Sequence, residues 1–155
     1  AALLYSALYS LWGLAGVVFS GWSADRTGQH KWHSAGAMML AALLLAGSTI
    51  PGQPFSLVMV WLCFTGLAAY AWPAPFWALP TLSLTASAAA VSIGVINIFA
   101  NLAGYFGNHL MGWLRHNGAT DRQCLLLLAA CYGLGGVIVS FVRARHRAVG
   151  VDGRS

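Results

Sequence analysis

Long apolar runs separated by short polar punctuation organise this chain. Positions 1–24 carry no Asp, Glu, Lys or Arg, and neither do positions 34–114. A helix needs roughly 20 apolar residues to cross a bilayer core of about 30 Å, so the longer run holds about three crossings. Five spans are predicted, at about 1–21, 34–49, 55–72, 86–114 and 124–142. A polar loop from Trp22 to His33 joins the first two. Pro51, Gly52 and Pro54 close the second, because proline has no N–H and glycine favours turns. Pro73, Pro75 and Pro80 interrupt the pattern after the third, so that helix is expected to end irregularly. Broken backbone at membrane depth survives only where it faces protein or a water-filled cavity. The fourth span exceeds one crossing and its end is expected to project; His116 to Asp121 forms the next turn. The predicted fold class is all-α integral membrane.

Composition agrees with that pattern. Charged residues are 7% of the 155, against about 25% in soluble domains. So few charges cannot cover a water-facing surface, which excludes a soluble enzyme, a nucleic-acid-binding domain and a disordered tail. The net charge of +5 comes from residues lying between the apolar runs. One side of the membrane receives Arg26, Lys31, Arg143, Arg145, Arg147 and Arg154, and the other receives Arg115 and Arg122. The richer side is expected to be cytoplasmic, with the basic tail 143–155 inside. Trp12, Trp22, Trp32, Tyr105 and Trp113 fall near span ends, where a half-wet ring is at home. An outer start, inside an apolar run and without Met, leads to the expectation of further helices upstream.

Two motifs carry more specific information. The first is Gly21-Trp-Ser-Ala-Asp25-Arg26-Thr-Gly28-Gln-His-Lys31. Gly21 and Gly28 permit close approach and a tight turn. Asp25 can face the positive end of a neighbouring helix. Arg26 and Lys31 can pair with acids or with headgroups. Such a cluster could latch helices in one conformation, or be a plain positive-inside loop. It resembles the cytoplasmic loop signature of the major facilitator superfamily, with Gln29 and His30 standing where a basic residue is more usual. The second motif is Pro75-Phe-Trp-Ala-Leu-Pro80, followed by Ile96-Asn-Ile-Phe-Ala-Asn-Leu-Ala-Gly-Tyr-Phe-Gly107 and Met111-Gly-Trp-Leu114. It resembles the tenth and eleventh helices of the anion:cation symporter family within that superfamily, the phthalate, tartrate and glucarate permease-like proteins. The departures are Phe99, in place of a small residue, and Asn108-His109, in place of a Gly-Pro-type pair.

The resemblance implies that positions 1–142 are helices eight to twelve of a twelve-helix fold, with the first seven missing. It also implies a bacterial inner-membrane transporter that moves a small organic anion, a sugar acid or an aromatic or dicarboxylic acid. Proton-coupled symport by alternating access would drive it, with the lipid bilayer, the solute, protons and the missing helices as partners and no nucleic acid.

The residues themselves support a polar wall. Asn97, Asn101, Gly104 and Asn108 are spaced i, i+4, i+7 and i+11, on one helical face. Carboxamides facing lipid are costly, so the face is expected toward a bundle interior or an aqueous cavity. Asn97 and Asn101 are candidate solute ligands, and Asn108 reads better as a helix–helix contact. Phe76 and Trp77 could wall a ligand site or merely support the kink. Tyr5 and Tyr9, at i and i+4, could each add a hydroxyl. Small residues in the fourth span suggest close packing. Cys63, Cys124 and Cys131 lack metal-ligand spacing, and no metal or cofactor is expected. No charged side chain lies within a span, so a proton-carrying carboxylate would have to come from elsewhere in the protein. The alternatives are a non-transporting membrane scaffold subunit and a transporter of a neutral solute. An integral-membrane enzyme is disfavoured because no nucleophile–base pair or ligand set is visible.

Overall fold

A computed structural model describes residues 2–142, with side chains from Ala7 onward. The basic tail 143–155 and the side chain of Tyr5 lie outside the described residues. The chain is α-helical: α1 (Ala2–Thr27), α2 (His30–Gly47), α3 (Phe55–Ala71), α4 (Pro73–Ser83), α5 (Ala86–His116) and α6 (Asp121–Phe141). Taking α3 and α4 as one broken rod, the described residues form five helical segments. Three are long and apolar enough to cross a membrane: Phe55–Ser83, Ala86–His116 and Asp121–Phe141.

Two local features differ from the expectation. The polar segment between the first two spans is almost entirely helical. Polarity alone does not break a helix, and Ser23 to Thr27 contains no breaker. The first true stop is Gly28, whose φ of +67° favours glycine, so the link shrinks to Gly28-Gln29. The third span also does not end irregularly at its prolines. Trp72 keeps helical dihedrals (φ −73°, ψ −31°), and Pro73 opens α4 at a position where a missing N–H costs little. Pro80 sits inside α4. It removes one further bond without ending the helix.

The remaining boundaries follow ordinary capping chemistry. Thr120 caps α6: its hydroxyl accepts from the Gln123 N–H at 3.3 Å, and the Gln123 side-chain oxygen accepts from the Thr120 N–H at 2.8 Å. Arg115 and Asp121 pair across the preceding turn at 2.7 Å.

Packing relies on small side chains. α2 lies between α3 and α6, and α1 lies against α3. Ala41, Ala68 and Ala69 form the core cluster, with Leu44 and Tyr132 packed on it. A Cβ at Gly16 would strike the Leu67 carbonyl, and one at Gly66 would lie 2.8 Å from the Tyr9 carbonyl oxygen. These glycines let the α1 and α3 backbones touch, the usual means of helix association in lipid.

α5 is different. Ala89 is its one buried residue among those described, and Gly94, Gly104, Gly107 and Gly112 have open space where a Cβ would be. These four glycines, in the span expected to pack closely, meet no neighbouring helix among the described residues.

Candidate functional site

The α3–α4 break lies near the middle of the apolar rod Phe55–Ser83. Proline has no N–H, so Pro73, Pro75 and Pro80 leave the carbonyls of Ala69, Ala71 and Phe76 without their helical donors. One helical bond spans the break, from the Phe76 N–H to the Trp72 carbonyl at 3.2 Å. Aromatic rings collect there. Trp72 and Phe76 meet edge to face at 5.3 Å between centroids, and Phe76 and Trp77 at 5.4 Å. Pro75 is fully buried beneath them. Phe76 and Trp77, named from the sequence as a candidate wall, therefore form one stack with Trp72.

Hydroxyl groups converge on the same level. Tyr9 of α1 packs edge-on against Tyr70 of α3 at 6.0 Å. Tyr132, halfway along α6, lies within electrostatic reach of both. Its ring packs on the Ala41, Ala68 and Ala69 cluster. Ser34 of α2, wholly buried, donates to the Trp72 carbonyl at 3.2 Å. Tyr70, Tyr132 and Ser34 carry no signal in the sequence pattern. Each is a single polar residue in an apolar run, and its partners are on other helices.

Asn97 and Asn101 share one exposed flank of α5, apart from the Trp72 stack. Asn101 Nδ2 donates to the Asn97 carbonyl at 2.8 Å. That bond satisfies one donor locally, and both side chains are exposed. Farther along, Tyr105 and His109 stack at 4.5 Å. Asn108, His109, Gly112, Trp113 and His116 line a wide-open depression on the same helix.

The segment Gly21 to Lys31 folds as a tight helical hairpin. Gly21 is in α1 with Ala74 at van der Waals distance from a built Cβ, and Gly28 makes the turn. The His30 ring donates from Nε2 to Asp25 Oδ1 at 3.1 Å, joining α1 to the first turn of α2. His30 is nearly buried while Asp25 is 78% exposed, and His30 Nδ1 is buried with no partner among the described residues. His33 gives its Nδ1–H to the Gln29 carbonyl at 3.0 Å, so its Nε2 accepts from the Ser23 hydroxyl at 2.9 Å. Arg26 lies over the Trp22 ring at 4.4 Å, and Lys31 over Trp32 at 4.5 Å. Both cations thus sit over a tryptophan face. His30, His33 and Ser23 escape sequence inspection because their pairing depends on the helices continuing through the polar segment.

Among the described residues no three His, Cys, Asp or Glu side chains gather as a metal site.

Comparison with known proteins finds bacterial relatives. A protein of Agrobacterium vitis named "Putative tartrate transporter" is 34% identical over 133 residues, covering 86% of this chain and 30% of that protein. The "Putative metabolite transport protein NicT" of Pseudomonas putida is 30% identical over 142 residues, covering 92% of this chain and 32% of its own length. The "Inner membrane transport protein RhmT" of Escherichia coli is 26% identical over 129 residues. The chain is homologous to bacterial membrane transporters. It spans about 30% of the length of the curated relatives it matches. No protein-family model matches the chain, and no solved structure matches it.

Proposed function

We propose that these five segments are helices eight to twelve of a major facilitator-type secondary transporter for a small organic anion. Residues 1–142 form part of its C-terminal bundle, and 143–155 form a cytoplasmic tail at the bacterial inner membrane. Transport is proton-coupled symport by alternating access, and the missing N-terminal helices supply the other half. α2 packs along both α3 and α6, and α1 packs along α3, which supports the first two helices crossing at the same depth as their neighbours.

The observation that carries the reading is the α5 stripe. Three carboxamides run along one flank of an otherwise apolar helix that this chain leaves bare. Against lipid such a stripe is unfavourable, so it belongs beside a polar path. The broken rod α3–α4, with its rings and hydroxyls at mid-depth, is the kind of element from which secondary transporters build a solute site. The relatives' names favour a tartrate-like or related metabolite as solute. Asn97, Asn101, Phe76, Trp77 and Tyr5 are the proposed solute contacts, and Gly21, Asp25, Arg26, Gly28 and Lys31 the conformational latch.

The test is uptake of labelled tartrate, other sugar acids and aromatic acids by cells carrying the full-length gene. At least one acid should accumulate, and Asn97→Ala should depress its uptake with unchanged membrane insertion. Accumulation of none of the acids would remove the reading, and undiminished uptake by Asn97→Ala would remove Asn97 from the site.

A further inference from the structure

We propose that the Gly21 to Lys31 hairpin carries a binding surface for the headgroup of an anionic phospholipid, with Arg26 and Lys31 holding the phosphate and Trp22 and Trp32 supporting them. The surface does not depend on which solute is carried: its failure would leave the transport reading as it stands, and the reverse holds too.

The two cations have no counter-charge among the described residues. The chain has three acids, Asp25, Asp121 and Asp152. Asp121 pairs with Arg115 at 2.7 Å, and Asp25 accepts from His30 at 3.1 Å. Asp152 lies outside the described residues. What Arg26 and Lys31 meet instead is an indole face, at 4.4 and 4.5 Å. Contact through the ring face leaves N–H donors on both side chains available to a phosphate.

The surroundings favour lipid over a protein partner. Along α1, Leu11, Phe19, Trp22 and Arg26 are exposed and share one flank, at i, i+8, i+11 and i+15. Phe19 and Trp22 meet at 6.3 Å between centroids, and helical rise puts Arg26 about 6 Å beyond Trp22. Along α2, Trp32, Leu40 and Leu43 are exposed at i, i+8 and i+11, with Lys31 beside Trp32 at the end. Both flanks therefore change from aliphatic to indole to cation toward the Gly28 turn. A bilayer changes in the same order, from acyl chain to interface to anionic headgroup. A protein interface imposes no such order on two helices.

The hairpin also presents the cations in a fixed frame. The Asp25–His30 and Ser23–His33 bonds tie the end of α1 to the start of α2. Gly28 has nothing within 4 Å of a built Cβ, so the tip between the helices is open to a headgroup. Groups held ready in this way lose little freedom when a ligand arrives.

The experiment places the full-length protein in nanodiscs of mixed phosphatidylcholine and phosphatidylglycerol. Native mass spectrometry then reads the preference for phosphatidylglycerol among the lipids retained on release. The wild type should prefer phosphatidylglycerol. Arg26→Gln and Lys31→Gln should each lower that preference about fivefold, the size of one cation near a headgroup, and the double variant by the product of the two. Trp22→Leu should lower it about twofold with both charges in place. Arg26→Lys should keep most of it, which separates loss of charge from loss of folded protein. Arg122→Gln is the control. Gly136 of α6 packs on Ala35 of α2, so the start of α6 lies at the opposite end of the bundle, and this variant should match the wild type. No preference in the wild type would mean that the rest of the protein covers the hairpin, and overturns the proposal. A double variant with the wild-type preference overturns it as well. So does an Arg122→Gln effect as large as that of Arg26→Gln, which would show diffuse surface charge.

Discussion

Gly66→Ala probes the close approach of α1 and α3. The added Cβ would stand 2.8 Å from the Tyr9 carbonyl oxygen and 2.9 Å from its ring, where ordinary contact begins at 3.4 Å. The obstruction includes backbone, so no side-chain rotation relieves it. α1 must retreat by roughly half an ångström, and overpacking of this kind costs about 1–3 kcal/mol. Alanine is intrinsically better than glycine inside a helix by about 0.5–1 kcal/mol, which offsets only part of that cost. Gly36→Ala in α2 is the matched control, because its Cβ would meet nothing within 4 Å. Thermal unfolding of the purified full-length protein should place Gly66→Ala several degrees below wild type and Gly36→Ala at or above it. The displacement also pushes Tyr9 from Tyr70, so uptake should fall more than stability alone explains. Equal melting temperatures for the two variants would refute the α1–α3 contact.

Two further substitutions test separate joints. Thr120→Ala removes the hydroxyl half of the α6 capping box and should cost about 1 kcal/mol, read as faster amide exchange confined to the first turn of α6; protection unchanged there would contradict the cap. Asp25→Ala deletes an acceptor that is mostly in solvent, so unfolding should change by less than about 1 kcal/mol, yet as a latch residue its loss should slow uptake more than tenfold. Wild-type uptake rates in that variant would reduce the hairpin to a positive-inside anchor.

How much of this was readable beforehand depended on the range of the interaction. The number of helical segments followed from run length, since a 20-residue apolar requirement leaves few choices, but two ends did not: α1 runs on to Thr27 and the broken rod to Ser83. The α5 amide face followed from the 3.6-residue period. The prolines misled because a break and a termination look alike in a linear string. Only Trp72's helical dihedrals show that the rod continues. The Asp25–His30 bond was hidden because the polar segment reads as a loop, whereas two helices bring those side chains together across Gly28-Gln29. Ser34, Tyr70 and Tyr132 were hidden for a different reason. Their partners lie on other helices, and periodicity within one helix says nothing about pairing between helices.

Thiol labelling along α5 tests the central claim most directly. In the full-length protein, with Cys63, Cys124 and Cys131 replaced by serine, single cysteines are placed at Asn97, Asn101 and Gly104, and on the opposite flank at Val95, Phe99 and Phe106. A hydrophilic maleimide should modify the first three, more slowly when the transported acid is present, and should leave the second three untouched. Modification of the Val95, Phe99 and Phe106 positions with the Asn97 and Asn101 positions inert would put the amides in lipid or dry protein, and no solute path could run along this helix.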